Sequence, residues 1–319
     1  MSLKVVFLGT PDVACPFLRK ITGAGYGVCA VITQPDRKQG RGMTLMCPAV
    51  KTEAGNLDIK VFQPADGKEL KVILEELKPD LGVAVAYGKL LKKEVLSIPK
   101  HGFINAHFSL LPKYRGAAPV RRAIMNGEKE TGITVFRIDE GLDTGPVLLR
   151  EKLGIGGDEN AVSLFARLVE LGRKLIVEAV AKIDEGKAEY RPQEGEPSFA
   201  PKIGREDTYL DFSMSVRRVY DRIRAFCFAP AARAVFELNG KKTTMQILSA
   251  FPAPNPAGDG LAPGFLSGFE KGKGIFIKCQ EGHLFVEKVK PEGGRELNAF
   301  DYFVNGRRLK AGDGIFTKE

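Results

Sequence analysis

Asn105 and His107 stand two residues apart in the apolar run Gly102-Phe103-Ile104-Asn105-Ala106-His107. In an extended strand alternate side chains share a face, so this spacing presents an amide and an imidazole side by side. A second polar knot, Asp139-Glu140-Gly141-Leu142-Asp143-Thr144-Gly145, follows the next apolar run. Its two glycines permit a sharp turn that would place the Asp143 carboxylate beside His107. Transfer of a group to an amine needs such a set, to stabilise an oxyanion, take a proton from the attacking nitrogen and deliver one to the leaving nitrogen. Taken singly, each residue has a plainer reading. A lone histidine is more often structural than catalytic, and an aspartate in a Gly-rich loop usually satisfies the turn. His101 and His283 are read that way and receive no role.

The elements around these residues follow an alternating pattern. Lys4–Leu8 reads as a buried strand, Pro11–Ile21 as a helix with proline in its first turn, and Gly27–Ile32 as a second strand. Further strands are expected at Ile59–Phe62, Leu81–Ala86, Gly102–His107 and Gly132–Ile138, separated by helical segments. The expectation is an α/β fold with an open, mainly parallel, Rossmann-like sheet, in which ligands bind at the carboxyl ends of the strands. Asn105 and His107 lie at such an end. The glycines at 23, 25 and 27 follow the first helix, and the first strand-to-helix turn, Gly9-Thr10-Pro11-Asp12, is not a dinucleotide fingerprint, so a nicotinamide cofactor is not expected.

Apolar residues recur at three- and four-residue steps from Ala161 to Ile183, the signature of one long amphipathic helix. Tyr190–Arg205 then carries three prolines and no apolar period, the composition of an extended linker. Beyond it come a basic helical segment, Ser215–Phe226, and short strands at Ala234–Leu238, Thr244–Ala250, Gly274–Cys279 and His283–Val289. These suggest a small OB-like β-barrel. The expected organisation is thus a catalytic domain over 1–189, a linker over 190–205 and a barrel domain over 206–319, in keeping with a 319-residue chain too long for one core.

Composition narrows the class. With 44% hydrophobic and 27% charged residues the chain is ordinary for a soluble protein, and no apolar stretch nears the roughly 20 residues of a membrane span. The run Met1–Leu8 lacks the longer apolar region of a secretory signal, so none is expected, and the five cysteines are scattered without a C-x-x-C pair. The expectation is a cytoplasmic monomer with no metal site and no membrane contact. A net charge of +9 would attract a polyanion such as nucleic acid.

Joined together, Asn105-Ala106-His107-Phe108-Ser109-Leu110-Leu111-Pro112 and Gly141-Leu142-Asp143-Thr144-Gly145 resemble the two active-site elements of the formyltransferases that use 10-formyltetrahydrofolate. The resemblance implies that Asn105, His107 and Asp143 are the catalytic trio and that Ser109, Leu110, Leu111 and Pro112 border the folate cosubstrate. Ala86-Tyr87-Gly88-Lys89-Leu90-Leu91 looks like the family's loop beside the pterin, which adds Tyr87, Gly88 and Leu90 to the folate-binding set. Thr33–Gly42 resembles the loop by which members acting on initiator methionyl-tRNA grip the acceptor stem, which implies tRNA contacts for Arg37, Lys38 and Arg41. Three cations among glycines suit phosphate neutralisation. Arg222–Phe226 and Asn239–Lys242 look like the start of the family's barrel domain. There the chain departs from the family's Pro-Trp-Pro-Gly-like continuation, reading Cys227-Phe228-Ala229-Pro230-Ala231-Ala232-Arg233, and it has no tryptophan at all.

Overall fold

β1 (Lys4–Gly9), β2 (Gly27–Ile32), β3 (Arg37–Gln39), β4 (Thr44–Met46), β5 (Val61–Phe62), β6 (Leu81–Val85), β7 (Phe103–His107), β8 (Glu130–Arg137) and β9 (Val147–Gly154) make up the strands of the N-terminal half. The computed structural model describes residues 3–39, 43–238, 240–254 and 260–317. Seven of these strands form one sheet in the order β5-β2-β1-β6-β7-β8-β9. The pairs from β5 to β7 are parallel, whereas β8 runs antiparallel to β7 and β9 antiparallel to β8. The expected open, mainly parallel sheet is therefore present, with an antiparallel flank.

Burial follows position in the sheet. β6 is buried throughout and β1 from Val5 onward, as strands covered on both faces must be. The helices of this half are α1 (Cys15–Gly23), α2 (Ala49–Asn56), α3 (Gly67–Leu77), α4 (Lys93–Leu96), α5 (Pro119–Met125) and α6 (Ala161–Asp184). α3 starts where the Asp66 carboxylate accepts from the backbone N–H groups of Lys68 and Glu69. Its Leu70, Ile73 and Leu74 pack with Val6, Leu8, Ile32, Phe103 and Tyr87 in one apolar cluster. Gly82 is required in β6 because a Cβ there would overlap the Phe103 ring.

Two sequence expectations shift in detail. The strand expected over Ile59–Phe62 shortens to two residues, and the loop resembling the tRNA-gripping segment contributes a short strand, β3, that pairs antiparallel with β4 just beyond it. Arg37 and Lys38 are exposed on this β3–β4 hairpin, while Arg41 lies outside the described residues.

The chain divides into two compact units that are not contiguous in sequence. The first takes residues 1–119, 130–154 and 165–201, and the second takes 120–129, 155–164 and 202–319. In the second, α7 (Val216–Ala225) is capped by the Ser215 hydroxyl. Buried Arg224 donates to the Asp221 carboxylate at 2.8 Å and to the carbonyl of Glu159 at 2.7 Å, so the segment 155–164 is fastened to α7. The strands β10 (Arg233–Leu238), β11 (Lys241–Ala253), β12 (Leu266–Glu270), β13 (Gly274–Lys278), β14 (His283–Pro291), β15 (Leu297–Asn298) and β16 (Phe316–Thr317) form an antiparallel sheet. β11, 13 residues long, pairs with both β10 and β14, and register shifts near Ser249 let it bend. The two edges of the sheet meet where Leu266 accepts from Gly312 and Gly264 accepts from Phe316, so the sheet curls into a barrel of the expected OB-like kind. Phe236, Phe303 and Phe316 fill it with edge-to-face rings. In the tryptophan-free stretch, Phe226 is buried and Phe228 is half-exposed beneath the Arg121 guanidinium, 4.1 Å from the ring centre.

Candidate active site

The site forms where β6 and β7 end. β7 lies between β6 and β8, and Asn105 and His107 occupy alternate positions on it, so both emerge on one face as their spacing requires. After β6 the chain turns through two left-handed residues, Ala86 (φ 48°) and Gly88 (φ 81°), with Tyr87 between them. The Tyr87 carbonyl accepts from the Thr10 hydroxyl at 3.0 Å and from the Gln34 side-chain amide at 3.1 Å, which ties this turn to the ends of β1 and β2.

A cavity of about 500 Å³ opens at this rim. Its walls include Tyr87, Gly88, Leu90, Asn105, His107 and Asp143. Six of the sequence-predicted residues thus meet in one place. Ser109, Leu110, Leu111 and Pro112 are not among the lining residues. The Ser109 hydroxyl donates to the Lys113 carbonyl at 2.6 Å, and Thr134 Oγ1 bridges the Ser109 carbonyl and the Leu111 N–H. This buried strip shapes the turn that carries Tyr114 and Gly116. Arg37 and Lys38, on the β3–β4 hairpin, are likewise not among the lining residues.

The geometry at His107 selects a tautomer. Nε2 lies 2.8 Å from the Tyr114 carbonyl oxygen, which can only accept, so Nε2 carries a proton. Nδ1 is thereby the nitrogen left for proton traffic, and it faces Asp143 Oδ2 at 3.6 Å. The same carboxylate oxygen accepts the Gly116 N–H at 2.8 Å. His107 is 6% exposed, so an imidazolium formed there would meet the Asp143 carboxylate at reduced screening.

The turn that delivers Asp143 works differently from the sequence expectation. Asp143 itself adopts the left-handed conformation, with φ 53°, and the flanking glycines serve close approach instead. A Cβ on Gly141 would collide with the Thr144 hydroxyl, and one on Gly145 with the Arg137 carbonyl. Asp139 closes the loop by accepting from Gly141 N–H at 3.1 Å and from the Thr144 hydroxyl at 2.6 Å.

Sequence reasoning did not find the backbone partners Tyr114 and Gly116, nor the segment 190–201 that holds them. This stretch has little regular structure, because Pro192, Pro197 and Pro201 remove ladder donors. It is nonetheless laced down. Arg191 exchanges backbone hydrogen bonds with Val147 at the start of β9, and Ala200 and Ser198 pair with Arg115. The Ser198 hydroxyl accepts from Tyr114 N–H at 2.9 Å, and Gln193 donates to the carbonyls of Asp143 and Gly145. No periodicity announces such contacts, since they are made by single side chains and irregular backbone.

Gly116 marks the tightest approach of this segment. Its φ is +119°, and a Cβ would lie 2.8 Å from the Ala200 carbonyl oxygen. Gly116→Ala is expected to destabilise the fold by about 1–3 kcal/mol, read as a lower midpoint in differential scanning calorimetry. An unchanged midpoint would show that the loop relaxes freely.

Comparison with known proteins places this geometry in a family. The formyl transferase family model matches residues 3–180, and the model of the formyl transferase C-terminal domain matches residues 202–308. The methionyl-tRNA formyltransferase of Thermodesulfovibrio yellowstonii is 37% identical over 319 residues, covering 99% of this chain and 100% of that protein. That of Kosmotoga olearia is 40% identical, covering 97% and 98%. Among solved structures, an N-formyltransferase from Helicobacter canadensis, crystallised with folinic acid and dTDP-3-aminofucose, shares the fold with a TM-score of 0.67 at 22% identity, covering 89% of this chain and 98% of that one. With both domain models matched and similarity to these relatives running almost end to end, the chain belongs to the formyl transferase family, in its methionyl-tRNA formyltransferase branch.

Proposed function

We propose that the chain moves the formyl group of 10-formyltetrahydrofolate to the amino group of methionine on initiator tRNA, with Asn105, His107 and Asp143 as the catalytic groups. The observation that carries this reading is their convergence on one cavity at the carboxyl ends of β6 and β7. A volume of about 500 Å³ suits a small-molecule cosubstrate. Tyr87, one of its walls, holds a buried hydroxyl with no hydrogen-bond partner among the described residues, and burial pushes its pKa up to about 12. It therefore remains a donor that a bound polar ring can satisfy. Tyr87, Gly88 and Leu90 are proposed as folate contacts on the strength of this placement. Ser109 to Pro112 are proposed to act on folate at one remove, by shaping the loop beside it.

In the proposed reaction the neutral amine attacks the formyl carbon, forming a new C–N bond and placing negative charge on the formyl oxygen. The Asn105 amide stabilises that charge, joined by His107 Nδ1–H once the proton from the attacking amine has reached that nitrogen. Collapse breaks the bond to the folate nitrogen, and one proton passes from the incoming nitrogen to the leaving one. His107 Nδ1 is placed to relay it, since Nε2 is held by Tyr114, and Asp143 steadies the imidazolium formed in passing. Arg37, Lys38 and Arg41 are proposed to hold the acceptor end of the tRNA.

The test is direct. Purified protein, 10-formyltetrahydrofolate and methionyl initiator tRNA are mixed, with an amino-sugar nucleotide and water alone as competing acceptors. Formyl is expected on the tRNA only. Transfer to the sugar, or hydrolysis alone, would replace this reading with a different acceptor.

A further inference from the structure

We infer that Gln193 is a positioning residue for formyl transfer, which sets the distance between Asp143 and His107 from within the segment that links the two halves of the chain. The inference rests on the catalytic reading of Asp143 given above.

The geometry is saturated. The Gln193 amide has two N–H donors and one acceptor oxygen, and all are used. Nε2 donates to the Asp143 carbonyl at 2.8 Å and to the Gly145 carbonyl at 2.9 Å. Oε1 accepts from Arg115 Nη2 at 2.6 Å and from Arg115 Nε at 3.2 Å. One half-buried side chain therefore joins two loops. The first carries the Asp143 carboxylate. The second carries the Tyr114 carbonyl, which fixes the His107 ring, and the Gly116 N–H, which fixes Asp143 Oδ2.

Without this bridge the two loops still touch through the Gly116 N–H, but little opposes rotation of the Asp143 backbone. That residue sits at φ 53°, a conformation an aspartate holds only where its surroundings impose it. The two bonds from Gln193 embrace the residue that follows, Thr144, and so hold the turn on both sides. The segment itself is pinned on either side of Gln193, by Arg191 on β9 and by Ser198 and Ala200 on the loop at 112–118. Its side chain thus acts from a fixed base. A shift of about 1 Å at a catalytic group is enough to cost up to about 10²-fold in rate.

Two near-isosteric variants separate positioning from general support. Gln193→Met fills the same space without hydrogen bonds. Gln193→Glu keeps, and strengthens, the bond to Arg115, but turns a carboxylate towards the two carbonyls it should donate to. Both are expected to lower kcat for formyl transfer by about 10- to 100-fold, while KM for tRNA and for folate stay within about 3-fold. In an Asp143→Ala background, measured in single-turnover experiments, Gln193→Met should change the rate by less than about 2-fold, because the two residues act as a unit.

Thermal melts of each variant accompany the kinetics. Full activity in Gln193→Glu would show that only the tie to Arg115 matters and would overturn the inference. So would a rate loss in Gln193→Met that recurs undiminished in the Asp143→Ala background. If Asp143→Ala alone transfers formyl normally, the catalytic reading of Asp143 has failed, and that result is visible in the single variant before Gln193 enters.

Discussion

Asp143→Asn is expected to lower the rate of formyl transfer by at least about 10²-fold while leaving the fold and the affinity for a folate analogue unchanged. The substitution keeps the size of the side chain and an oxygen that can accept the Gly116 N–H, so it removes chiefly the charge beside His107 Nδ1. An imidazolium formed during proton relay then loses its counter-ion in a site where His107 is nearly buried. His107→Ala should cost as much, and the double variant little more than either, since one relay cannot be broken twice. Single-turnover assays under saturating folate, with calorimetry for the analogue, provide the check. Near-normal turnover in either single variant removes that residue from the mechanism.

Neutralising Arg37, Lys38 and Arg41 together is expected to lower kcat/KM for methionyl-tRNA by roughly 10-fold or more, with folate affinity unaltered. The described part of this segment supports the separation of roles. Arg37 and Lys38 stand exposed on the β3–β4 hairpin, outside the cavity lining, and Arg37 donates to Gln34 at 3.1 Å, which steadies its stem. Phosphate contacts release counterions, so the slope of log affinity against log salt should flatten by about 2–3 in the triple variant. Filter binding at several salt concentrations measures this. If the slope and the kinetics both stay at their original values, the hairpin is an ordinary solvated loop and the tRNA contacts lie elsewhere.

Much of the chemistry was legible in residue order because it depends on period. Asn105 and His107 share a face since a strand repeats every two residues, and they reach the cavity because parallel strands deliver their carboxyl ends to one rim. The long helix α6, the buried runs of β1 and β6 and the short barrel strands follow from the same logic of apolar spacing. What the period cannot encode is which irregular segments touch. Asp143 met His107 as its loop allowed, but through its own left-handed φ and not through the glycines beside it.

The sequence by itself determined the polar groups that meet at the cavity, the mainly parallel sheet that presents them and the small barrel that follows, because side-chain type and hydrophobic repeat are local properties. Tertiary structure alone decided the tautomer of His107, set by a carbonyl seven residues away, and the seating of Ser109 to Leu111 beneath the loop instead of in the cavity wall. It also decided that the Pro-rich stretch at 190–201 straps the site, with Gln193 joining loops that lie 78 and 50 residues from it along the chain. Such contacts are single hydrogen bonds between unrepeated positions, and they exist only once the sheet has brought those positions within about 3 Å of one another.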